Sequence, residues 1–559
     1  MTPPNFRRKI PPPYNARRDL TQLVYHNAAA AASIRPFTRA GCVVGNPSVI
    51  AVLVRVGEIV DPRSERDFQL ARPVGRGNSR NFTPLPSLAG ISCVDRMRRT
   101  WKRSSALRIA TTDPLFAWEK LPDSPDLVSL RFLLDLLPDG PLLAALQRHR
   151  GKGRNDYPRH LLWRVHISRY LLRHASMEAC LAELGRNPAL RRVIGIEEGQ
   201  AVPESWNMSR FLQVLGQPPH LALMKEMFEK LAGRLATAVE DMGRHLAGDS
   251  AALTAHPARG ENAPASLPQP AGGKKEYKDE AGKVVKVYEW FGYKFHLLVD
   301  VKHEVIVAWR VSSAAGEGTG DSSVIPLLLA QTRQVLPEGR IRSLAYDKAA
   351  DDAKTHRLLD ERSIKPLIQI RSLLGEDQKE QMLPGHDGNS NVVHDEAGTI
   401  YCYDKISPTP VKRKMSFIGY EKSRGTLKYR CPARHEGFAC PSDKKCNGGS
   451  CYGKTTRVKC ELDLRRFPPI PRATLEFERR YKGRTAIERV NARVKVYWGA
   501  DDGNVTGAER FHAHLATIML VHIATANWLA GQPRYEGKSL SPTRMSQIAR
   551  RLHKAAAVT

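Results

Sequence analysis

The sequence predicts an α/β fold in which a mixed sheet is flanked by helices, with an all-helical domain before it and a cysteine-containing insertion within it. From about residue 113 to 240, apolar residues recur at three- and four-residue spacing, as in amphipathic helices. The period then changes to two over 283–312, which indicates three consecutive antiparallel strands. A helix, a short strand and a second helix follow, and this order is typical of mixed α/β layers.

The predicted organisation begins with a segment rich in proline, arginine and small residues, which we expect to be disordered or a non-essential extension. In the helical region, arginines such as Arg164 and Arg173 interleave with Trp163 and Tyr170. This suits helices packed near DNA, and a solvated cationic face is the alternative. The full division is an extension over 1–112, a helical DNA-binding domain over 113–240, an α/β domain in two parts over 241–370 and 473–530, an insertion over 371–472 and a basic tail over 531–559.

The net charge of the protein indicates which class of partner it binds. Among 559 residues there are 87 Lys and Arg against 57 Asp and Glu, a formal net charge of +30. Such a charge attracts phosphate backbones or anionic membrane surfaces, although it also suits a merely solvated surface.

The first residues lack the apolar stretch of a secretory signal. The most apolar run, 514–531, contains His522 and Asn527, so we predict a buried helix and an intracellular protein with no membrane partner.

The stretch "YKGRTAIERVNARVK" at 481–495 predicts a helix with two distinct faces. At about 100° per residue, an apolar stripe suited to a core is formed by Ile487, Val490 and Val494. A second stripe combines an aromatic ring, a carboxylate and two cations, namely Tyr481, Arg484, Glu488 and Lys495. Two cations beside a metal-binding carboxylate can hold phosphates, and an aromatic ring can stack on a displaced base.

Carboxylates at the ends of predicted elements are candidates for a metal site. Asp249 precedes a Pro, Gly and Ala rich linker at 255–273, Asp347 ends the short strand "IRSLAY", and Glu488 lies on the second helix stripe. Three acids brought together would repel one another unless cations bind, and oxygen ligands favour Mg²⁺ or Mn²⁺. Taken singly, such an Asp is usually a turn or helix cap, and such a Glu is usually an exposed ion pair.

These segments resemble a known family. "YKGRTAIERVNARVK" matches all four positions of the Y-x2-R-x3-E-x6-K signature of bacterial insertion-sequence transposases of the DDE type, whose catalytic domain is RNase H-like. "FGYKFHLLVD", "GDSS" with Asp321 and "LAYDKAADD" are also similar to segments of that family. The resemblance implies that Asp249, Asp347 and Glu488 are the catalytic, metal-binding acids. It further implies that Arg484 and Lys495 hold terminal phosphates and that Tyr481 supports a displaced base.

The resemblance implies a DNA transposase that cuts transposon ends and transfers strands with two metal ions, Mg²⁺ or Mn²⁺. Its partners would be the terminal inverted repeats and the target DNA, bound by a homodimer in a synaptic complex. It would act in the bacterial cytoplasm, associated with the nucleoid. Two alternatives remain open: a decayed transposase that only binds DNA, and a nuclease of the same fold that never transfers strands.

The cysteines allow a second kind of metal site. Of nine cysteines, six lie between residues 402 and 460. A structural zinc could be held by the set Cys431, Cys440, Cys446 and Cys451, although no CxxC pair is present in the sequence. Free buried thiols are the alternative, and the spacing does not decide between them.

Overall fold

The computed structural model describes residues 124–542 apart from 153–155, 198, 257–262, 280–282, 372–379, 384–390, 405, 410 and 502–504. The predicted extension at 1–112 and the end of the predicted basic tail therefore lie outside the described residues.

Short helices fill the region before the sheet. They are α1 (Pro125–Leu136), α2 (Gly140–Arg150), α3 (Arg159–Leu171), α4 (Met177–Arg186), α5 (Pro188–Ile194), α6 (Ser205–Leu215) and α7 (His220–Ala238). Trp163 is fully buried, and Tyr170 and Arg169 are also buried. Trp163 and Tyr170 face the core because apolar spacing within α3 turns them inward, so they form no surface array with the arginines, and DNA binding by the helical region stays a prediction.

A mixed sheet forms the centre of the protein. Its strands are β1 (His245–Thr254), β2 (Ala271–Lys278), β3 (Val284–Asp300), β4 (Ile306–Ser313), β5 (Ser343–Tyr346) and β6 (Lys365–Ile368). The order is β2-β3-β1-β5-β6, and β4 pairs with β3. The pairs β1/β5 and β5/β6 are parallel, whereas the other pairs are antiparallel. Helices α8 (Asp321–Val335) and α9 (Ala353–Glu361) connect the later strands, in the predicted order.

The sheet differs from the predicted one in its long strand. Two predicted strands, "KVVKVYEW" and "YKFHLLVDV", form the single strand β3 rather than a hairpin. Its first half pairs with β2, which begins inside the predicted linker, and its second half pairs with β1 and β4. Between the halves, Gly292 has φ of +149°, and a Cβ there would lie 2.3 Å from the carbonyl oxygen of Leu253. Glycine thus allows β3 to continue past the end of β1.

The last long helix, α14 (Ala508–Ala530), confirms the prediction of a buried apolar helix. By length and composition it could cross a membrane, but 89% of its most apolar window is buried inside the protein. The hydroxyl of Tyr170 lies 2.6 Å from Nδ1 of His514, and Nε2 of His166 lies 2.9 Å from the hydroxyl of Thr517. The helical region and the sheet therefore share one continuous core.

Two small sheets make up most of the insertion. One contains β7 (Glu380–Met382), β8 (Val392–Asp395), β9 (Ile400–Tyr403) and β10 (Lys412–Lys414). The other contains β11 (Ser416–Glu421), β12 (Thr426–Arg430) and β13 (Thr455–Lys459). The short helices α10 (Pro432–Glu436) and α11 (Asp443–Asn447) lie between β12 and β13. The insertion has a small core of its own, separate from the main core.

Candidate active site

Strand pairing places Asp249 beside Asp347. Strands β1 and β5 run parallel, with Leu246 opposite Leu344 and Ala247 opposite Ala345. Continuing this register by two residues brings Asp249 level with Asp347, which follows directly after β5. Two residues is one strand repeat, so both carboxylates lie on the same face as the Ala pair, and neighbouring strands are about 4.8 Å apart. Asp249 therefore lies within a strand, not at the end of an element as its sequence context indicated.

Gly248 makes room for Tyr346 on the face of the sheet opposite the two carboxylates. The ring of Tyr346 lies over Gly248, where a Cβ would be 2.0 Å from the ring. Tyr346 itself is fully buried, and its hydroxyl has no hydrogen-bond partner in the described part of the chain. Burial, followed by the nearby charges of Asp321, Asp249 and Asp347, raises the pKa of Tyr346 well above its usual value. The hydroxyl of Tyr346 is thus neutral and lies near the strands that carry Asp249 and Asp347.

The segment at 481–495, which resembles the family signature, lies in a helix whose number of residues per turn changes along its length. Helix α12 (Leu475–Tyr481) leads through a 3₁₀ turn into α13 (Thr485–Ala492), and a π-helical turn follows at Arg493–Tyr497. The turn lies at Gly483, where a Cβ would be 2.8 Å from a methyl of Val301 on the sheet. The predicted apolar stripe is buried and comprises Ile487, Val490 and Val494. Helix α13 therefore packs on β1 and β3.

Arg484 links this helix to the sheet. Its Nη2 donates to Oε1 of Glu488 at 2.8 Å, and its Nη1 lies 4.0 Å from Oδ2 of Asp249. One guanidinium thus bridges a carboxylate on β1 and a carboxylate on α13, with Asp347 beside the first of them. The side chain of Glu488 is 54% exposed, whereas those of Asp249 and Arg484 are each 23% exposed. Glu488 therefore forms the open side of the site.

The electrostatics of the site favour a cation. Burial raises the pKa of Asp249 to about 6, and the charges of Asp347 and Asp321 add to this effect. The backbone hydrogen bond from Ser250 and the charge of Arg484 act in the opposite direction but do not offset the burial. Ionised Asp249 is thus under-compensated in this structure, and a bound cation would supply the missing charge.

Replacing Asp249 with Asn is expected to stabilise the metal-free protein at neutral pH. The pKa rises from 3.8 to about 6 on folding. The folded state therefore binds more protons between these values, and stability falls as pH rises from about 4 to 6. Asn never ionises and avoids this loss. In EDTA at pH 7 we expect a Tm about 2 to 4 °C higher. The difference should vanish at pH 4, and a lower Tm at pH 7 would contradict the prediction.

Asp321 is a carboxylate close enough to influence Asp249, and the sequence did not reveal its position. It starts α8, and its Oδ1 lies 3.3 Å from Nδ1 of the buried His296. Burial raises the pKa of Asp321, but hydrogen bonding and charge from His296, together with a hydrogen bond from Ser250, outweigh burial and leave the pKa lowered. The sequence marked Asp321 only as a turn after the strands. Its signal was a carboxylate at a helix start, which is usually a cap.

Tyr481 lies at the edge of the acidic cluster. It is half-buried and stacks on Phe477, with ring centroids 5.6 Å apart and an interplanar angle of 10°. Burial raises its pKa, and Arg484, Asp347 and Asp249 are close enough to influence it. Tyr481 and Phe477 also line an open cavity of about 400 Å³ together with Gln369 and Arg472. The structure thus places an aromatic wall next to the carboxylates.

Lys495 is not part of the network around Arg484. Its Nζ lies 3.1 Å from Oδ2 of Asp501, whose Oδ1 accepts a hydrogen bond from the backbone of Thr254 at the end of β1. Lys495 lies in a π-helical turn, which has more residues per turn than an α-helix. The angular position predicted from a regular α-helix therefore does not apply to Lys495.

The donors present fit a hard divalent cation. Among the described residues, no three His, Cys, Asp or Glu side chains already form a metal-binding group. Asp249 and Asp347 nevertheless offer adjacent carboxylates, and Glu488 would join them once Arg484 turns away. Carboxylate oxygens and retained waters are what Mg²⁺ and Mn²⁺ prefer.

Comparison with known families decides the identity. The protein-family model described as "Transposase DDE domain" matches residues 242–524, which is half of the chain. The chain belongs to the DDE transposase family. A second model, "Transposase domain (DUF772)", matches residues 117–214 in the helical region. The transposase is thus a DNA-cutting, strand-transferring enzyme that acts on DNA, and its family uses divalent metal ions. The predicted α/β fold class, with its RNase H-like sheet and preceding helices, is confirmed.

Among solved structures, the transposase is similar to one described as "Cryo-EM structure of piggyBac transposase synaptic complex with hairpin DNA (SNHP)". The two share 10% sequence identity, with a TM-score of 0.33 over 77% of this chain and 79% of that one. No curated protein matches the transposase.

Proposed function

We propose that the transposase cuts transposon ends and joins them to target DNA at a site formed by Asp249, Asp347 and Glu488. The observation that carries the proposal is the bridge of Arg484 between Asp249 and Glu488, beside the register neighbour Asp347. These acids come from three separate parts of the chain, so a site that unites them would depend on the fold rather than on local sequence. Two Mg²⁺ or Mn²⁺ ions would supply activation of the attacking oxygen and stabilisation of the leaving oxygen.

Each protein group has a defined task in this proposal. Asp249 and Asp347 hold the inner side of the metal site, where their partial burial strengthens the interaction with a cation. Glu488, on the open side, completes the ligand set. Arg484 breaks its ion pair with Glu488 and binds instead a DNA phosphate next to the scissile bond. A guanidinium can bind a phosphate with two hydrogen bonds. In-line displacement at phosphorus needs no covalent bond to the enzyme.

The surroundings of the site suit a DNA end. The cavity beside Tyr481 and Phe477 is large enough for a base, and base stacking on an aromatic ring contributes about 1 to 3 kcal/mol. Arg472 lines the same cavity. Lys495 would bind a terminal phosphate after release from Asp501. We further propose that the transposase pairs terminal inverted repeats as a homodimer in the bacterial cytoplasm at the nucleoid.

A pre-cut transposon end tests the proposed activity directly. The transposase is incubated with the element's own pre-cut end, a target plasmid and Mg²⁺, and a parallel reaction contains EDTA. We expect joined products with Mg²⁺ and none with EDTA. Hydrolysis of the DNA without joining would instead support a nuclease, and binding without either reaction would support a decayed transposase. Joining of the strands in EDTA would show that the reaction needs no divalent metal and would contradict that part of the proposal.

A further inference from the structure

Four cysteines of the insertion surround one small cavity. Cys402 lies on β9, Cys431 follows β12, Cys440 lies between α10 and α11, and Cys446 lies in α11. All four line a small, partly open cavity of about 30 Å³. Such a space is large enough for a water molecule, and therefore for a metal ion held by sulfur. Four cysteines from different parts of the insertion thus line one space, and Cys431, Cys440 and Cys446 are close enough to Cys402 to influence its pKa.

The composition of this set differs from the one predicted from the sequence. Cys451, which the spacing had grouped with Cys431, Cys440 and Cys446, is exposed and does not line the cavity. Cys402 takes its place, although it is far from the others in sequence. The separation of Cys402 from the cluster in sequence explains why spacing alone pointed to Cys451.

Neighbouring polar groups include donors that can support thiolates, although the carboxylates of Asp404 and Asp443 also line the cavity. Nδ2 of Asn391 donates to Sγ of Cys446 at 3.6 Å, and Nδ2 of Asn447 donates to Sγ of Cys431 at 3.6 Å. Arg413 also lines the cavity and places a cation beside it. Four thiolates around a divalent ion carry a net charge of −2, which amide donors and a nearby guanidinium stabilise.

The cavity joins the two halves of the insertion. Cys402 belongs to the sheet of β7–β10, whereas Cys431, Cys440 and Cys446 belong to the segment between β12 and β13. The core of the insertion contains few buried residues, such as Val392, so hydrophobic burial supplies little stability. Small folds of this kind commonly gain stability from a structural metal.

We propose that Cys402, Cys431, Cys440 and Cys446 form a structural zinc site that fastens the two halves of the insertion together. The described residues contain no metal-binding group already at ligand distance, so the sulfurs close around the ion when it binds. Each thiol releases its proton, and four Zn–S bonds of about 2.3 Å form. This proposal is independent of the catalytic acids, because none of them touches the cavity.

Metal analysis of the full-length transposase tests the proposal. We expect one zinc per chain after purification without chelators, and no zinc in Cys402→Ser. The matched control is Cys451→Ser, which should retain zinc because Cys451 lies outside the cavity. Cobalt substitution should give thiolate-to-cobalt charge-transfer bands in the wild type and in Cys451→Ser. Wild-type zinc well below one equivalent, or equal loss of zinc from both variants, would overturn the proposal.

Thiol counting keeps the test decisive if Cys402→Ser fails to fold. The wild-type protein is treated with a thiol reagent under native conditions, before and after zinc is removed with a strong chelator. We expect four additional reactive thiols after chelation, and protection restored by Zn²⁺ alone. Mass spectrometry of the labelled peptides should assign the four to Cys402, Cys431, Cys440 and Cys446. Protection that is unaffected by chelation would show buried free thiols and would end the zinc proposal.

Discussion

Replacing Glu488 with Gln is expected to reduce DNA cutting by on the order of a thousandfold or more, because the transition state would lose a charged ligand at the metal site. Glutamine keeps the size of the side chain and can still accept a hydrogen bond from Arg484. Glu488 is half exposed, so the change should leave folding and binding of transposon ends largely intact. Cutting is measured on an end-containing duplex with Mg²⁺, and binding is measured on the same duplex without metal.

Glu476→Gln is the matched control for this variant. Glu476 forms an ion pair with Arg480 at 2.8 Å, four residues along the helix, as Glu488 does with Arg484. Its side chain is 41% exposed, close to the 54% of Glu488. Glu476→Gln should therefore cut at nearly the wild-type rate. If both variants lost activity equally, the loss would reflect the helix and its ion pairs rather than a metal ligand.

Replacing Asp351 with Ala is expected to lower the free energy of unfolding by about 3 to 5 kcal/mol, the usual effect of breaking a buried ion pair. Its fully buried carboxylate contacts Arg465 at 2.8 Å, Arg472 at 3.5 Å and His356 at 3.0 Å. Burial lowers the pKa of Arg472 to about 10 even with Asp351 present. Without Asp351 this buried cation would lose its nearest compensating charge. Denaturant unfolding of the full chain measures the effect.

An exposed ion pair provides the comparison. Glu461 lies 2.8 Å from Lys459, and both side chains are more than 60% exposed. Glu461→Ala should change the free energy of unfolding by less than about 1 kcal/mol, because water screens such pairs. Equal effects of Asp351→Ala and Glu461→Ala would show that Asp351 does not stabilise the junction between the sheet and the insertion.

The sequence predicted those parts of the site that depend on local pattern. Asp347 follows a short apolar strand, and the apolar stripe of α13 is set by helical spacing, so both were correctly placed on their elements. Asp249 lies in the middle of "HLAGDSAALT", which is a poor strand by composition. Its strand forms because β3 pairs along nearly its whole length and β5 pairs on the other side. Such tertiary support is invisible in the local sequence.

Other features depend on contacts between distant residues. The pairing of Lys495 with Asp501 follows from a π-helical turn, which a regular wheel does not represent. The proximity of Asp321 to Asp249 follows from the way α8 packs after β4. Cys402 joins the other cysteines only because two separate sheets meet. In each case the residue type was visible in the sequence, but its partner was set by the tertiary fold.

The central position of α14 limits which parts of this enzyme can be exchanged with those of a relative. Because α14 packs both on α7 and on β4, the amino-terminal helices cannot be exchanged for those of a relative without rebuilding a shared interior. A hybrid made by joining two parents near residue 240 would have to inherit α14 and its helical partners from the same parent.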